Sequence, residues 1–175
     1  MNKVSELKQH NVLNIQDILR AQDITRWNMV NTSRTQSLAE HTFNVVTIAR
    51  SIANKLGMDD IKIMKYAFDH DLDEVNTGDI PSPTKEKLKI KDCYAGKNKS
   101  ECSSREIAIV AIADLIEAVW FINTHGLGRH AAIVADNLID RLNRRIALYA
   151  STDKALQDAV GETIGEIEHG DFISE

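Results

Sequence analysis

Apolar residues recur every three or four positions along most of this chain, and no segment shows the alternation of a half-buried strand. Only two prolines interrupt 175 residues. Together these features predict an all-α fold: a compact single-domain helical bundle of about six to seven helices, spanning residues 1–175. A helix is expected around Ile15 to Ala21. Ser37-Leu38-Ala39-Glu40 is a capping box, in which a Ser at N-cap and a Glu three residues on satisfy each other's orphan amides. Behind it Leu38, Val45, Ile48, Ala49, Ile52 and Leu56 keep helical spacing until Gly57 stops the run. Asp59 or Asp60 caps a second helix with Ile61, Met64, Ala67 and Phe68 on one side. It runs toward Asn76-Thr77-Gly78-Asp79, and Pro81 and Pro83 end any helix there. Residues 84–102 are lysine-rich and read as the least ordered stretch. Ser103 or Ser104 caps a long helix to about Asn123, Gly126 and Gly128 break it, and two further helices cover 129–150 and the residues after Thr152 or Asp153.

Composition narrows the classes of function. Hydrophobic residues are 43 % and charged residues 27 %, the profile of a globular chain. A net charge of −5 argues against a nucleic-acid polymer as partner. No apolar run is read as the roughly 20 residues that cross a membrane, so no membrane partner is expected. Met1-Asn2-Lys3-Val4-Ser5-Glu6-Leu7-Lys8 has no stretch suited to secretion, which makes the cytoplasm the expected location. Cys93 and Cys102, without a Cys-x-x-Cys pattern, are read as free thiols.

The positions that break the amphipathic pattern are more informative. His41 lies one turn into the helix that Ser37 caps, beside Leu38 and Val45. His70 and Asp71 follow an apolar run, and Asp114 sits inside Ala111-Ile112-Ala113-Asp114-Leu115-Ile116. A carboxylate there is costly unless it is paired or bound to metal. Each of these residues alone has an ordinary structural reading, and a buried polar network without metal is the alternative for the set. Jointly, two imidazoles and two carboxylates on three helices form a borderline ligand set for zinc, manganese, iron, cobalt or nickel. A calcium loop starting at Asp69 fails, because its sixth and twelfth positions are Glu74 and Ile80 rather than Gly and Glu.

The order His41, His70-Asp71, Asp114 resembles the HD-domain metal-dependent phosphohydrolases. Arg26-Trp27, Ala39-Glu40-His41 and the segment from His70 to Lys85, with Glu74, Thr77-Gly78-Asp79, Pro81 and Pro83, are similar to the small 5′-deoxynucleotidases of that superfamily. The likeness covers about residues 14–125. The short stretch between Lys85 and Asp114 makes the chain look more like the compact phage dATP triphosphohydrolases of the same branch. The resemblance implies an HD-type bundle whose metal (zinc, cobalt or manganese) is held by His41, His70, Asp71 and Asp114. A second ion such as magnesium would accompany the phosphates. It implies Glu74 and Asp79 as acid/base residues, with Glu74 one turn after His70 if the helix continues that far. Arg26, Trp27 and Met29 are implied at the nucleotide, and Lys85, Lys87 and Arg34 at the phosphates. It also implies a homo-oligomer, dimer or hexamer, and dATP depletion in the host cytoplasm if the chain is viral. A 5′-monophosphatase and a catalytically silent nucleotide-binding module are the competing readings.

Overall fold

The computed structural model describes residues 13–88, 96–150 and 152–169. Among them nine α-helical segments occur, three of five residues or fewer. The core is organised around α7, Ser104–His125. Ser103 opens it with a capping box, its Oγ accepting the Glu106 N–H while the Glu106 carboxylate accepts the Ser103 N–H. Ala108, Ile109, Ile112, Ala113, Leu115, Ile116, Phe121 and Ile122 are buried on nearly every side of α7. A helix apolar all round belongs inside a protein.

Three long helices pack on α7: α2 (Leu38–Lys55), α3 (Ile61–Asp69) and α8 (Gly128–Ala150), with α9 (Lys154–His169) closing on α2 and α8. Val45, Ala49 and Ile52 of α2 and Ile63 and Ala67 of α3 are fully buried in the shared core. A smaller cluster of Leu13, Ala21, Leu38, Leu72 and Val75 fastens α1 (Ile15–Leu19) and α4 (Glu74–Thr77) to the start of α2. The remaining helices are α5 (Ser82–Leu88) and α6 (Gly96–Ser100).

The structure corrects or refines several expectations. The buried face of α3 is Ile63, Tyr66 and Ala67, while Ile61 and Phe68 stay about half exposed. Helix α3 does not reach residue 76: it stops at Asp69, and tight turns (Leu72 N–H to Asp69 C=O, Glu74 N–H to Asp71 C=O) carry the chain to α4. Within residues 84–102 the described part carries the end of α5 and all of α6. Pro81 precedes α5 and Pro83 lies in its first turn, where the amides of a helix have no partner to lose. Helix α7 does have the length and apolar composition of a membrane-crossing segment, but most of it is buried inside the bundle. Cys102 is free, and Cys93 lies outside the described residues.

The link from α7 to α8 is tight. A Cβ on Gly126 would stand 2.5 Å from the Ile122 carbonyl oxygen and 2.9 Å from the Ala131 Cβ. Only glycine fits without moving one helix. Gly126→Ala is therefore expected to lower the free energy of unfolding by about 1–3 kcal/mol, the usual scale of overpacking, read as a shift of the urea midpoint.

Candidate metal centre and nucleotide cleft

Three elements deliver four ligand atoms to one point. The Ser37 cap fixes the first turn of α2 and with it His41, which is fully buried. The end of α3 and the turn after it place His70 and Asp71, and α7 supplies Asp114. One donor atom from each lies within 4.8 Å of all the others. His41 Nε2 is 3.3 Å from His70 Nε2, 3.4 Å from Asp114 Oδ1 and 3.6 Å from Asp71 Oδ2. Donors each about 2.0–2.2 Å from a shared transition ion have spacings of that order.

Both imidazoles are oriented from behind. His41 Nδ1 meets Glu117 Oε2 at 2.6 Å, and His70 Nδ1 donates to the Ala67 carbonyl at 2.6 Å. Each Nδ1 thus keeps its proton and each Nε2 turns toward the centre, as second partners of metal-bound histidines do. Two buried atoms beside the cluster, Arg26 Nε and Glu74 Oε2, have no hydrogen-bond partner. The donor types, their spacing and their backing fit a divalent transition ion.

The charges are balanced closely. Arg26, its side chain 11 % exposed, reaches Asp71 at 3.2 Å, Glu74 at 3.5 Å and Asp79 at 4.0 Å. Burial works against its charge, but Asp71, Glu74, Asp79 and Asp114 outweigh that and raise its pKa. Burial and Arg26 also oppose a charge on His41, yet hydrogen bonds to Asp114, Asp71 and Glu117 lift its pKa to about 10. Burial would raise Asp71, but His70, His41 and Arg26 hold it well below the usual carboxylate range. Asp114 is lowered in the same way, His41 and His70 overcoming burial. Glu74 goes the other way. Burial and the Asp71 charge push it up to about 7 against the pull of Arg26 and Lys85.

Around this cluster opens a cleft of about 600 Å³. Trp27 forms one wall, its ring stacked on Phe121 with centroids 5.9 Å apart and planes 5° from parallel. Its backbone is left-handed (φ 64°), and the Trp27 N–H donates to Asp79 Oδ2 at 3.0 Å. A bulky residue at positive φ is strained and needs such an anchor.

A family model described as 5′-deoxynucleotidase YfbR-like matches residues 15–107. The chain belongs to the YfbR-like branch of the HD-domain phosphohydrolases. Among its relatives, the dATP triphosphohydrolase of cyanophage S-2L is 33 % identical over 141 residues, covering 73 % of this chain and 80 % of that one. The dATP triphosphohydrolase of Acinetobacter phage SH-Ab 15497 is 35 % identical over 141 residues, covering 65 % and 68 % respectively. The solved cyanophage S-2L HD phosphohydrolase (DatZ), bound to dA and one catalytic Zn2+ ion, superposes with a TM-score of 0.80 at 27 % identity, covering 90 % of this chain and 98 % of that one.

The structure gathers Arg26, Trp27, Met29, Asp71, Glu74, Asp79, Lys85 and Asp114 on the cleft of this YfbR-like chain. Glu74 arrives by the turn after α3, not by helical continuation from His70, and its carboxylate pairs with Lys85 Nζ at 2.5 Å. Two expected phosphate ligands fall elsewhere. Arg34 is spent on Glu40 (2.8 Å) and the Phe121 ring, and Lys87 is exposed on α5 away from the cleft lining. Sequence reasoning missed the α8 wall of His130, Asn137, Arg141 and Arg144, and the buried pair Gln36 and Glu117. The α8 residues recur at spacings of seven, four and three, one helical face, which was the available signal. Glu117 stands three residues after Asp114 in the same apolar run, a second carboxylate on one face.

Because His41 holds its proton up to about pH 10, a metal ion must displace it. Zinc binding to the metal-free protein at pH 7.5 is expected to release about one proton, and apparent affinity to rise about tenfold per pH unit between pH 7 and 9. Calorimetry in buffers of different ionisation enthalpy reads both; proton-neutral binding would contradict this ligand assignment.

Proposed function

We propose that this chain is a metal-dependent dATP triphosphohydrolase, converting dATP and water to deoxyadenosine and inorganic triphosphate. It acts as one domain over residues 1–175. The observation that carries the reading is a single cleft that joins Asp71 and Asp114, two of the four clustered donors, the flat face of Trp27 and the cations Lys85, Arg141 and Arg144. The names of the phage relatives, and the dA and zinc in the cyanophage structure, support it.

His41, His70, Asp71 and Asp114 would hold the ion: zinc, cobalt or manganese. A bound divalent ion supplies a water of lowered pKa and Lewis-acid polarisation of a phosphoryl oxygen. Water attacks the α-phosphorus, the bond to O5′ breaks, and O5′ takes a proton as deoxyadenosine leaves. Glu74, with a pKa of about 7 and one buried oxygen without a hydrogen-bond partner, is matched to carrying that proton at neutral pH. Arg26 holds Asp71, Glu74 and Asp79 together and keeps Nε for an incoming oxygen. Asp79 is a second proton carrier or a sugar-hydroxyl acceptor, using the oxygen that Trp27 leaves free. Trp27 stacks the base or sugar, and Met29, also on the lining, flanks it.

A triphosphate brings about four negative charges, a monophosphate about two. Lys85 and the α8 arginines supply cations on both sides of the cleft. Self-association as dimer or hexamer belongs to the same reading. Exposed Phe43 and Leu148 offer apolar surface for it, and light scattering measures the outcome. The same reading expects the enzyme in the cytoplasm, where the dATP pool lies, that of the host cell if the chain is viral.

Purified protein is incubated with dATP or dAMP and cobalt, manganese, zinc or magnesium, and the products are separated by ion exchange. Intact triphosphate is expected from dATP. Orthophosphate from dAMP alone would instead support the 5′-deoxynucleotidase reading, which the family match favours. No product from either would point to a silent nucleotide-binding module. Glu74→Gln should cut kcat about 100-fold with metal content unchanged. Replacing Arg141 and Arg144 by Ala should lower kcat/KM at least about tenfold more for dATP than for dAMP, the loss of one to two charge-assisted phosphate contacts. Equal losses would remove the α8 arginines from triphosphate binding.

A further inference from the structure

Behind the cleft runs a chain of buried hydrogen bonds that the proposed chemistry does not use. The Trp27 indole Nε1–H donates to Gln36 Oε1 at 2.8 Å. Gln36 Nε2–H donates to Glu117 Oε1 at 2.5 Å, and Asn44 Nδ2 donates to the same oxygen at 3.1 Å. Glu117 Oε2 faces His41 Nδ1 at 2.6 Å. Gln36, His41 and Glu117 are fully buried.

The polarity of this chain leaves no freedom. Indole can only donate and a carboxylate can only accept, so the residue between them must accept on one side and donate on the other. An amide does both. Leucine or methionine at 36 would strand the Trp27 N–H and remove a donor from Glu117; glutamate would set two carboxylates against each other. The backbone is pinned at the same place, with Arg26 N–H to Gln36 C=O at 2.8 Å and Leu38 N–H to Ile24 C=O at 2.8 Å. The loop carrying Trp27 is thus tied to the helix carrying His41.

We propose that Gln36 is a positioning residue that fixes the Trp27 ring relative to the metal centre through Glu117, so that nucleoside recognition and metal ligation share one rigid relay. The proposal rests on the reading of the cleft as a deoxynucleotide site. Gln36 touches neither substrate nor ion; it acts on the nucleoside through Trp27, and Glu117, held by His41 and Asn44, is its fixed anchor.

The test is a double-mutant cycle with Gln36→Met and Trp27→Phe, since phenylalanine keeps a ring but has no N–H to place. Zinc-loaded proteins are titrated with deoxyadenosine by calorimetry, and kcat and KM for dATP are measured. Gln36→Met is expected to raise Kd and KM about tenfold with kcat changed less than about threefold, the scale of one buried hydrogen bond lost. In the Trp27→Phe background the same change should cost less than about twofold. Equal loss in both backgrounds, with helicity and zinc content retained, would overturn the proposal and leave Gln36 as core filling.

A second readout needs no ligand. In Trp120→Phe protein Trp27 is the sole tryptophan. Its fluorescence anisotropy should decay with an added fast component in Gln36→Met, and in Gln36→Asn, whose shorter amide reaches one partner but not both. Unchanged decay in either folded variant would overturn the relay. If wild-type protein neither binds deoxyadenosine nor turns over dATP, the substrate reading falls while the anisotropy still decides the role of Gln36.

Discussion

Glu117 carries a carboxylate into the middle of the core helix with no exposure at all, and the rest of the molecule is arranged around satisfying it. Donors converge on it from α2, through His41 and Asn44, and from the preceding loop, through Gln36. Stripped of those partners, a carboxylate so placed would be strongly destabilising. The requirement fixes how α2 and the loop before it sit against α7. It also sets the His41 tautomer and, through it, where the first imidazole of the site looks.

The same logic of compensated burial governs the cleft. Asp71, Glu74, Asp79 and Asp114 crowd together, and their mutual repulsion is met by Arg26, by Lys85 and by the proton on His41. That proton sits where a cation belongs. One member, Glu74, is left short of compensation and rides up to about 7, while Asp71 and Asp114 are held down. Divergent titration of neighbouring carboxyls is how a site separates the groups that bind from the group that exchanges protons.

Much of this was legible in the chain itself. The capping box at Ser37, the cap expected at Ser103 or Ser104, the stripes behind them and the stop at Gly57 announced α2 and α7, because these are local signals with a local cause. Asp114 stood out by being expensive where it is. The failures share one origin in tertiary context. Arg34 was a candidate for the phosphates, yet Glu40 and the Phe121 ring claim it. The face of α3 was misassigned because Ile61 and Phe68 are as apolar as the residues buried beside them. Arg141 and Arg144 acquire a role only because the fold lays α8 along the cleft. Gln36 carried no signal, since a glutamine before an N-cap is unremarkable until its burial is known.

The backbone at Trp27 carries a further implication. A large aromatic held at φ 64° by a contact from Asp79 works against local conformational preference. Selection for heat resistance alone would relax that bend by installing glycine and would discard the aromatic wall in the same stroke. Stabilised descendants of this chain are thus prone to lose their grip on nucleosides at the one position where robustness and recognition pull in opposite directions.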